Sequence, residues 1–375
     1  MTIRPILLKS AKIAALSVLF SIILYYALGN VLTYLGVDKT NLSYLSNHYN
    51  WVNREENLRG QDDVVILNTQ NIDDRVYRRE LAELVDSLFH YNPRVVGIDI
   101  RFALPKDSLS DAYLKEVVRA HSDRIVIDQA SHNDVVLPTI FDGEDVHFGL
   151  TNLPEYARYE PFRKIGDKEY PVFSYQVFRL ACPDREVDFD RFIVNYSNLS
   201  FGQKDITSFK KLTRDEKREW VEDKIVLLGE TDNDKDYHNT PFKIEGGDWE
   251  IGVSLHAYAV YSLLHPDHAF QSLPLFWTIF ICFVLCFLFS LLYVTFSYDK
   301  VVSRMEFLRK HPSIIIAARP ILVVVANLLV LAICYLVFTK PFRIIPDVVF
   351  YMIAVLLIKT FSDYVNYRIN NKYNV

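Results

Sequence analysis

The sequence predicts an α/β extracytoplasmic domain with a mainly parallel sheet, plus four transmembrane α-helices. Three observations carry this. Half of the 375 residues are hydrophobic, and they gather in one block before Asp38 and three blocks after Leu273. The stretch between has the mixed composition of an ordinary globular domain. Within it, short continuous β-branched runs alternate with amphipathic helical periods, the pattern of parallel strands buried on both faces.

The first apolar block, residues 13–37, carries no charge. About 20 apolar residues at a rise of about 1.5 Å cross a hydrocarbon core, so the block is long enough. Lys9 and Lys12 followed by Ala27-Leu28-Gly29 also offer the parts of a cleavable signal peptide. Apolar residues continue to Val37, however, and the block reads as an uncleaved anchor behind a short tail, residues 1–12. Spans follow at 273–296, 320–338 and 344–361. The last is shorter, carries Asp347 near its start, and also fits a re-entrant or interfacial segment.

Orientation follows from Lys and Arg in the short loops. Arg4, Lys9 and Lys12 precede the first span; Lys300, Arg304, Arg309, Lys310 and Arg319 fill the 297–319 loop; Arg368 and Lys372 lie in the 362–375 tail. Only Lys340 and Arg343 separate the third and fourth spans. The positive-inside rule places both termini and the 297–319 loop in the cytoplasm, and residues 38–272 outside. A net charge of −5 argues against a nucleic-acid partner, which requires a basic face. Cys282, Cys286 and Cys334 fall inside spans. Cys182 is alone in the outer domain, so no internal disulfide is expected there, and it reads as a buried small hydrophobe.

The outer domain reads in order. VVILNT (64–69) is a strand, and YRRELAELVDSLFHY a helix with Leu81, Leu84, Val85 and Leu88 on one face. Asn92-Pro93 ends that helix. RVVGIDI (94–100) is a second strand, SDAYLKEVVRAH a helix with Ser110 as N-cap, and RIVID (124–128) a third strand. A β-richer part follows, with Gly166-Asp167 as a hairpin turn, FSYQVFRLAC as a helix and RFIVNYS as a strand. Thr213-Arg214-Asp215-Glu216 opens a short helix as a capping box. KIVLLGET (224–231) is another buried strand, and the apolar helix GVSLHAYAVYSLL runs straight towards the second span.

These pieces resemble the CHASE2 domain, an extracytoplasmic sensory module of bacterial signalling proteins. The resemblance rests on Gly97 and Asp99 in the second strand, then Gly229, Thr231, Asp236, Thr240, Pro241, Gly252, His256 and Ala257. It implies one amino-terminal span, an outer sensory domain, three further spans in the bacterial inner membrane, and then a cytoplasmic output domain. Two departures stand out. Asn68-Thr69-Gln70 replaces the family's usual acidic pair, and the tail after the fourth span holds no output domain. A sensor of this kind is expected to act through a separate effector.

LLGETDNDKDYHNTPF (227–242) imitates an EF-hand at Asp232, Asp234 and Asp236. Such a loop needs Gly at its sixth position and Glu at its twelfth, where this chain has Tyr237 and Lys243. No metal site and no cofactor are expected. Ligands of open α/β sheets bind at the carboxyl ends of the strands. Asp99, Arg101, Asp128, Glu230, Asp232 and Asp236 are therefore the candidate ligand residues, an acidic crevice if their strands are neighbours. The alternative is that Asp99 and Asp236 cap helices or hold loops. No nucleophile has a base at a recognisable spacing, so no enzyme is expected. In the basic loop, Arg304, Met305, Leu308 and Arg309 form a helical face that could dock a cytoplasmic partner, although topology alone accounts for the charge.

Two functional classes stay open. One is a sensor that detects an unknown small ligand or envelope condition and signals through a partner. The other is a membrane anchor or scaffold subunit whose outer domain binds an envelope protein. Both involve the bilayer, and both are compatible with a homo-oligomer.

Overall fold

The structure, a computed structural model, describes residues 3–27, 59–70, 77–151, 159–189, 192–196, 199–231, 237–244, 247–295 and 324–372. The chain divides into two units, Leu42–Phe270 and Met1–Asn41 with Gln271–Val375. The first is an α/β unit and the second holds the apolar helices.

The α/β unit is built on β1 (Arg59–Asn68), β2 (Val95–Ile98), β3 (Ile125–Gln129), β4 (His147–Leu150), β5 (Leu199–Asp205) and β6 (Ile225–Gly229). Their order is β5-β1-β6-β2-β3-β4, and each neighbouring pair is parallel. After α1 (Ile3–Ala27), the helices of this unit are α2 (Tyr77–Phe89), α3 (Ser108–Ala120), α4 (Phe173–Ala181), α5 (Ile206–Lys211), α6 (Arg214–Val221) and α7 (Gly252–Leu264). Alternate strand residues enter two cores. Val65, Leu67, Ile98, Ile127 and Leu228 pack with α2, α3, α5 and α6. Val64, Ile66, Val95, Val126 and Leu227 pack with α4 and α7. Burial on both faces is why these strands are unbroken apolar runs rather than alternating ones.

Local signals mostly landed where expected. Thr213 accepts from the Glu216 amide, and the Glu216 carboxylate accepts from the Thr213 amide, the reciprocal pair of a capping box. Gly166, at φ 60°, turns the hairpin of Phe162–Ile165 with Lys168–Pro171. The cap of α3 is a correction. Asp107, not Ser110, is the N-cap; its extended backbone lets its carboxylate reach back and accept from the Ser110 amide at 2.9 Å. Among the described residues of RFIVNYS, Phe192–Ile193 form a short strand. Cys182 is half-buried against the α4/α7 core rather than fully enclosed.

The second unit contains α1, α8 (Leu275–Thr295), α9 (Val324–Phe342) and α10 (Val348–Lys372). Among the described residues, four stretches are long and apolar enough to cross a membrane: Arg4–Tyr25, Leu275–Val294, Val324–Phe342 and Val348–Val365. The first begins before the 13–37 block, because Lys9 and Lys12 can extend their ammonium groups away from apolar surroundings; residues 28–37 lie outside the described residues. The third runs on to Phe342, past the expected end at 338. The fourth begins at Val348 rather than 344, since Asp347 accepts from the Phe350 amide at 3.0 Å and so caps the helix. α1 packs on α8 and α10, and beside the buried Ile13 and Val18 it buries the small residues Ser10, Ala14, Ser17 and Ser21, which favour close helix approach in a membrane.

The end of α9 was not visible in the hydropathy. Residues Tyr335–Thr339 form a π-turn, with the Lys340 amide donating to the Tyr335 carbonyl. Pro341 follows, and a proline both lacks an amide donor and crowds the carbonyl four residues back. Arg343 then adopts a left-handed φ of 52° and stops the helix. Beyond it, Ile344–Ile345 forms a parallel pair with Gln271–Ser272.

Candidate functional site

The carboxyl ends of the parallel strands collect the candidate residues. Leu228 is level with Ile98, and Ile98 with Ile127, so Asp99 and Asp128 stand side by side on neighbouring strands. The Asp99 amide donates to the Leu228 carbonyl at 2.8 Å, which fixes its height against β6. Asp99 is half-buried and Asp128 is buried. Asp128 accepts from the Thr151 hydroxyl, just past β4, at 2.6 Å. Continuing the alternation of the strands, both carboxylates fall on the face covered by α4 and α7. Glu230, half-buried directly after β6, falls towards the opposite face.

Four of the six candidate residues are described, and they do not all lie on one face of the sheet. The sheet brings Asp99 and Asp128 together, sets Glu230 one strand away across the layer, and leaves Arg101 exposed. Asp232 and Asp236 lie outside the described residues, as do Arg304, Met305, Leu308 and Arg309.

Side chains that sequence reasoning did not assign shape this end. The Asn68 side-chain carbonyl accepts from the Gln70 amide at 3.0 Å and the Thr231 amide at 3.3 Å, joining the exits of β1 and β6. Gln203 of β5 donates to the Thr231 hydroxyl at 2.7 Å. Asp205 ends β5 and caps α5, accepting from the Ser208 amide and hydroxyl at 2.7 Å each. The Ser208 amide first, then its hydroxyl, hold the Asp205 carboxyl below its usual range. The signal for Asn68 and Asp205 was available: Asn and Asp at the end of a strand commonly bond the backbone just beyond.

The loop leaving β2 is held from below by a buried ion pair. Arg78 of α2 binds Asp111 of α3 and the Leu104 carbonyl, and its guanidinium lies over the Phe102 ring. Asp111 also accepts from the Lys106 amide at 3.0 Å. On the other face, glycines let the helices approach. A Cβ on Gly229 would stand 2.8 Å from the Val253 Cβ, and one on Gly97 would stand 2.8 Å from Leu227 and 3.0 Å from Phe173. His256, one turn into α7, is buried with its ring edge-on to Phe173 at 4.9 Å.

One topological fact organises these contacts. β6 lies between β1 and β2. The chain leaves β1 for α2 and β2 for α3, both on one face, but leaves β6 for α7 on the other. Connections that part in this way open a crevice at the carboxyl end of the sheet. The arrangement offers two adjacent carboxylates with amide and hydroxyl groups beside them, suited to a polar ligand that donates hydrogen bonds. Among the described residues, no group of three His, Cys, Asp or Glu side chains could hold a metal ion.

The family model of the CHASE2 domain matches residues 27–292. The chain belongs to the CHASE2 domain family. The match covers most of the chain, from the end of α1 to near the end of α8. CHASE2 is an extracytoplasmic sensory domain family, and the four apolar helices fit a membrane protein. No curated protein and no solved structure matches the chain. Within this CHASE2 domain the motif glycines Gly97 and Gly229 have a packing role: they admit Phe173 of α4 and Val253 of α7 against the sheet.

Proposed function

We propose that this CHASE2 protein is a bacterial inner-membrane sensor, with both termini cytoplasmic, that receives a ligand or envelope condition outside and signals through a separate partner. The supporting observation is the departure of β6 to the face opposite its two neighbours. In this reading Asp99, Asp128 and Glu230 face a polar ligand, with Arg101 at the rim and Asp232 and Asp236 in the adjoining loop. The protein performs no catalysis of its own, and Arg304, Met305, Leu308 and Arg309 dock the cytoplasmic partner. A sensor needs a ligand that binds two states unequally, since equal binding shifts nothing.

The test is native mass spectrometry of the full chain after gentle release from its own membranes. The wild type is expected to retain a small polar molecule that Asp99→Asn loses, with secondary structure unchanged by circular dichroism. A cytoplasmic signalling protein should accompany it and disappear when Arg304 and Arg309 are replaced by Ser. If both preparations are ligand-free and only envelope proteins accompany them, the chain is a scaffold subunit and the sensor reading fails.

A further inference from the structure

Just past the end of α7, His265 and His268 are held in opposite ways. The His265 ring Nε2 lies 2.9 Å from the Asp63 carboxylate of β1. The His268 ring Nε2 lies 3.1 Å from the Asn195 side-chain nitrogen, and that nitrogen also donates to the His268 carbonyl at 2.9 Å. Tyr261 of α7 touches both rings, at 4.5 Å from His265 and 5.2 Å from His268. Asn195 is buried, and its backbone amide donates to the Ser262 hydroxyl of α7 at 3.2 Å. All of these residues belong to the α/β unit.

The protonation of His268 follows from these contacts. A carbonyl oxygen only accepts, so the end of the Asn195 side chain that faces it is the NH2 and not the oxygen. The same NH2 faces His268 Nε2, and a donor there requires a ring nitrogen with a lone pair to offer. His268 is neutral in this arrangement, with its proton on Nδ1. An imidazolium carries N–H at both ring positions. Protonated, His268 sets N–H against N–H. Turning the Asn195 amide over relieves that clash but points its oxygen at the His268 carbonyl. Either way the double bond of Asn195 to this residue is lost. His265 answers in the other sense, because Asp63 accepts from its Nε2 whether the ring is neutral or charged. Two further charged groups lie at this end. Arg185 donates to the Leu264 carbonyl and opposes a new positive charge, and Asp267 is exposed, where water screens it.

We propose that Asn195 and His268 form an acid-labile clamp that ties the chain after Phe192–Ile193 to the end of α7. Near neutral pH the clamp is closed; protonation of His268 opens it. The proposal goes beyond the sensor reading, since the clamp needs no ligand and no partner. Where the sensor reading holds, acidity is the envelope condition that the outer domain detects.

The experiment is hydrogen exchange by mass spectrometry on the full chain in lipid nanodiscs. It compares about pH 8 with about pH 5, either side of the ordinary histidine range near 6.5, with rates corrected for intrinsic chemistry. In the wild type, amides of residues 192–196 and 262–270 are expected to lose at least about three-fold in protection at the lower pH, while β6 amides keep theirs. His268→Gln keeps for Asn195 an acceptor that does not titrate, and should show no such loss. Asn195→Asp sets a carboxylate opposite the ring and should reverse the sign, with greater protection at the lower pH. If Asn195→Asp does not fold, His268→Gln decides. Equal protection of the wild type at both pH values overturns the proposal, as does a loss in His268→Gln equal to that of the wild type. Neither outcome touches the sensor reading, which is judged by the retained molecule and the accompanying protein.

Discussion

At the scale of single residues, Arg78 and Asp111 show how a charge enters a core. Arg78 is in phase with Leu81, Ala82 and Val85 on α2, and Asp111 with Leu114 and Val118 on α3, so helical periodicity points both inward. Their side chains are 5% and 9% exposed, and each supplies the other's counter-charge there. Arg78→Met leaves Asp111 buried and unpaired, and is expected to cost about 3–5 kcal/mol. Arg78→Met/Asp111→Leu should recover most of that, since a packed apolar pair is often as stable as a buried ion pair. Urea unfolding of the full chain in micelles, followed by fluorescence, checks both. The two charges were visible in the sequence as breaks in an apolar stripe. Their pairing was not, because the partners are 33 positions apart. Thr213 and Glu216 were legible for the opposite reason: each finds its partner within one turn.

At the scale of elements, the buried strands were readable because water is excluded from both their faces. β5 was not. Only Leu199 among its residues is buried; Ser200, Gln203, Lys204 and Asp205 are polar because β5 lies at an edge of the sheet. Register alone makes it a strand, and register is a property of the neighbour. The helix starts carry the acid response of the fold. Asp107, Asp205 and Glu216 cap α3, α5 and α6 and have their carboxyl values lowered, by Ser110, by Ser208 and by Thr213 respectively. A group whose folded value is depressed contributes its stability in full above the unfolded value, about pH 4, and loses it as pH falls through the folded value. Thermal unfolding between pH 6 and pH 3 should therefore show a smaller acid loss in Asp107→Asn/Asp205→Asn than in the wild type. An identical loss would remove the caps as its cause.

At the scale of the whole molecule, the apolar helices after Leu273 were legible in the hydropathy as helices long enough to cross a membrane. Their ends are set where backbone chemistry overrides apolarity, at Asp347 and at the π-turn before Pro341. The candidate site was legible as a set of strand ends but not as an arrangement. Which ends are neighbours depends on β6 entering between β1 and β2, and nothing in the run IVLLG states that. The pairing of Ile344–Ile345 with Gln271–Ser272 sets the α9–α10 turn on the side where the chain enters α8. In a Cys182→Ala background, Arg343→Cys should react with a membrane-impermeant maleimide in intact spheroplasts, as Ser200→Cys does. Ser303→Cys should react only after lysis. Reaction of Arg343→Cys only after lysis would refute this topology.

The position of β6 also bears on how such a chain is made. It is the last of the six strands to leave the ribosome, yet it fills a place near the middle of the sheet. During secretion, β1 and β2 reach the far side of the membrane early, each with an unpaired edge facing a gap the width of one strand. Those edges stay open until Ile225–Gly229 has been threaded through. The nascent domain must then depend on speed of export, or on a holding chaperone, to keep that gap from being filled by the wrong strand.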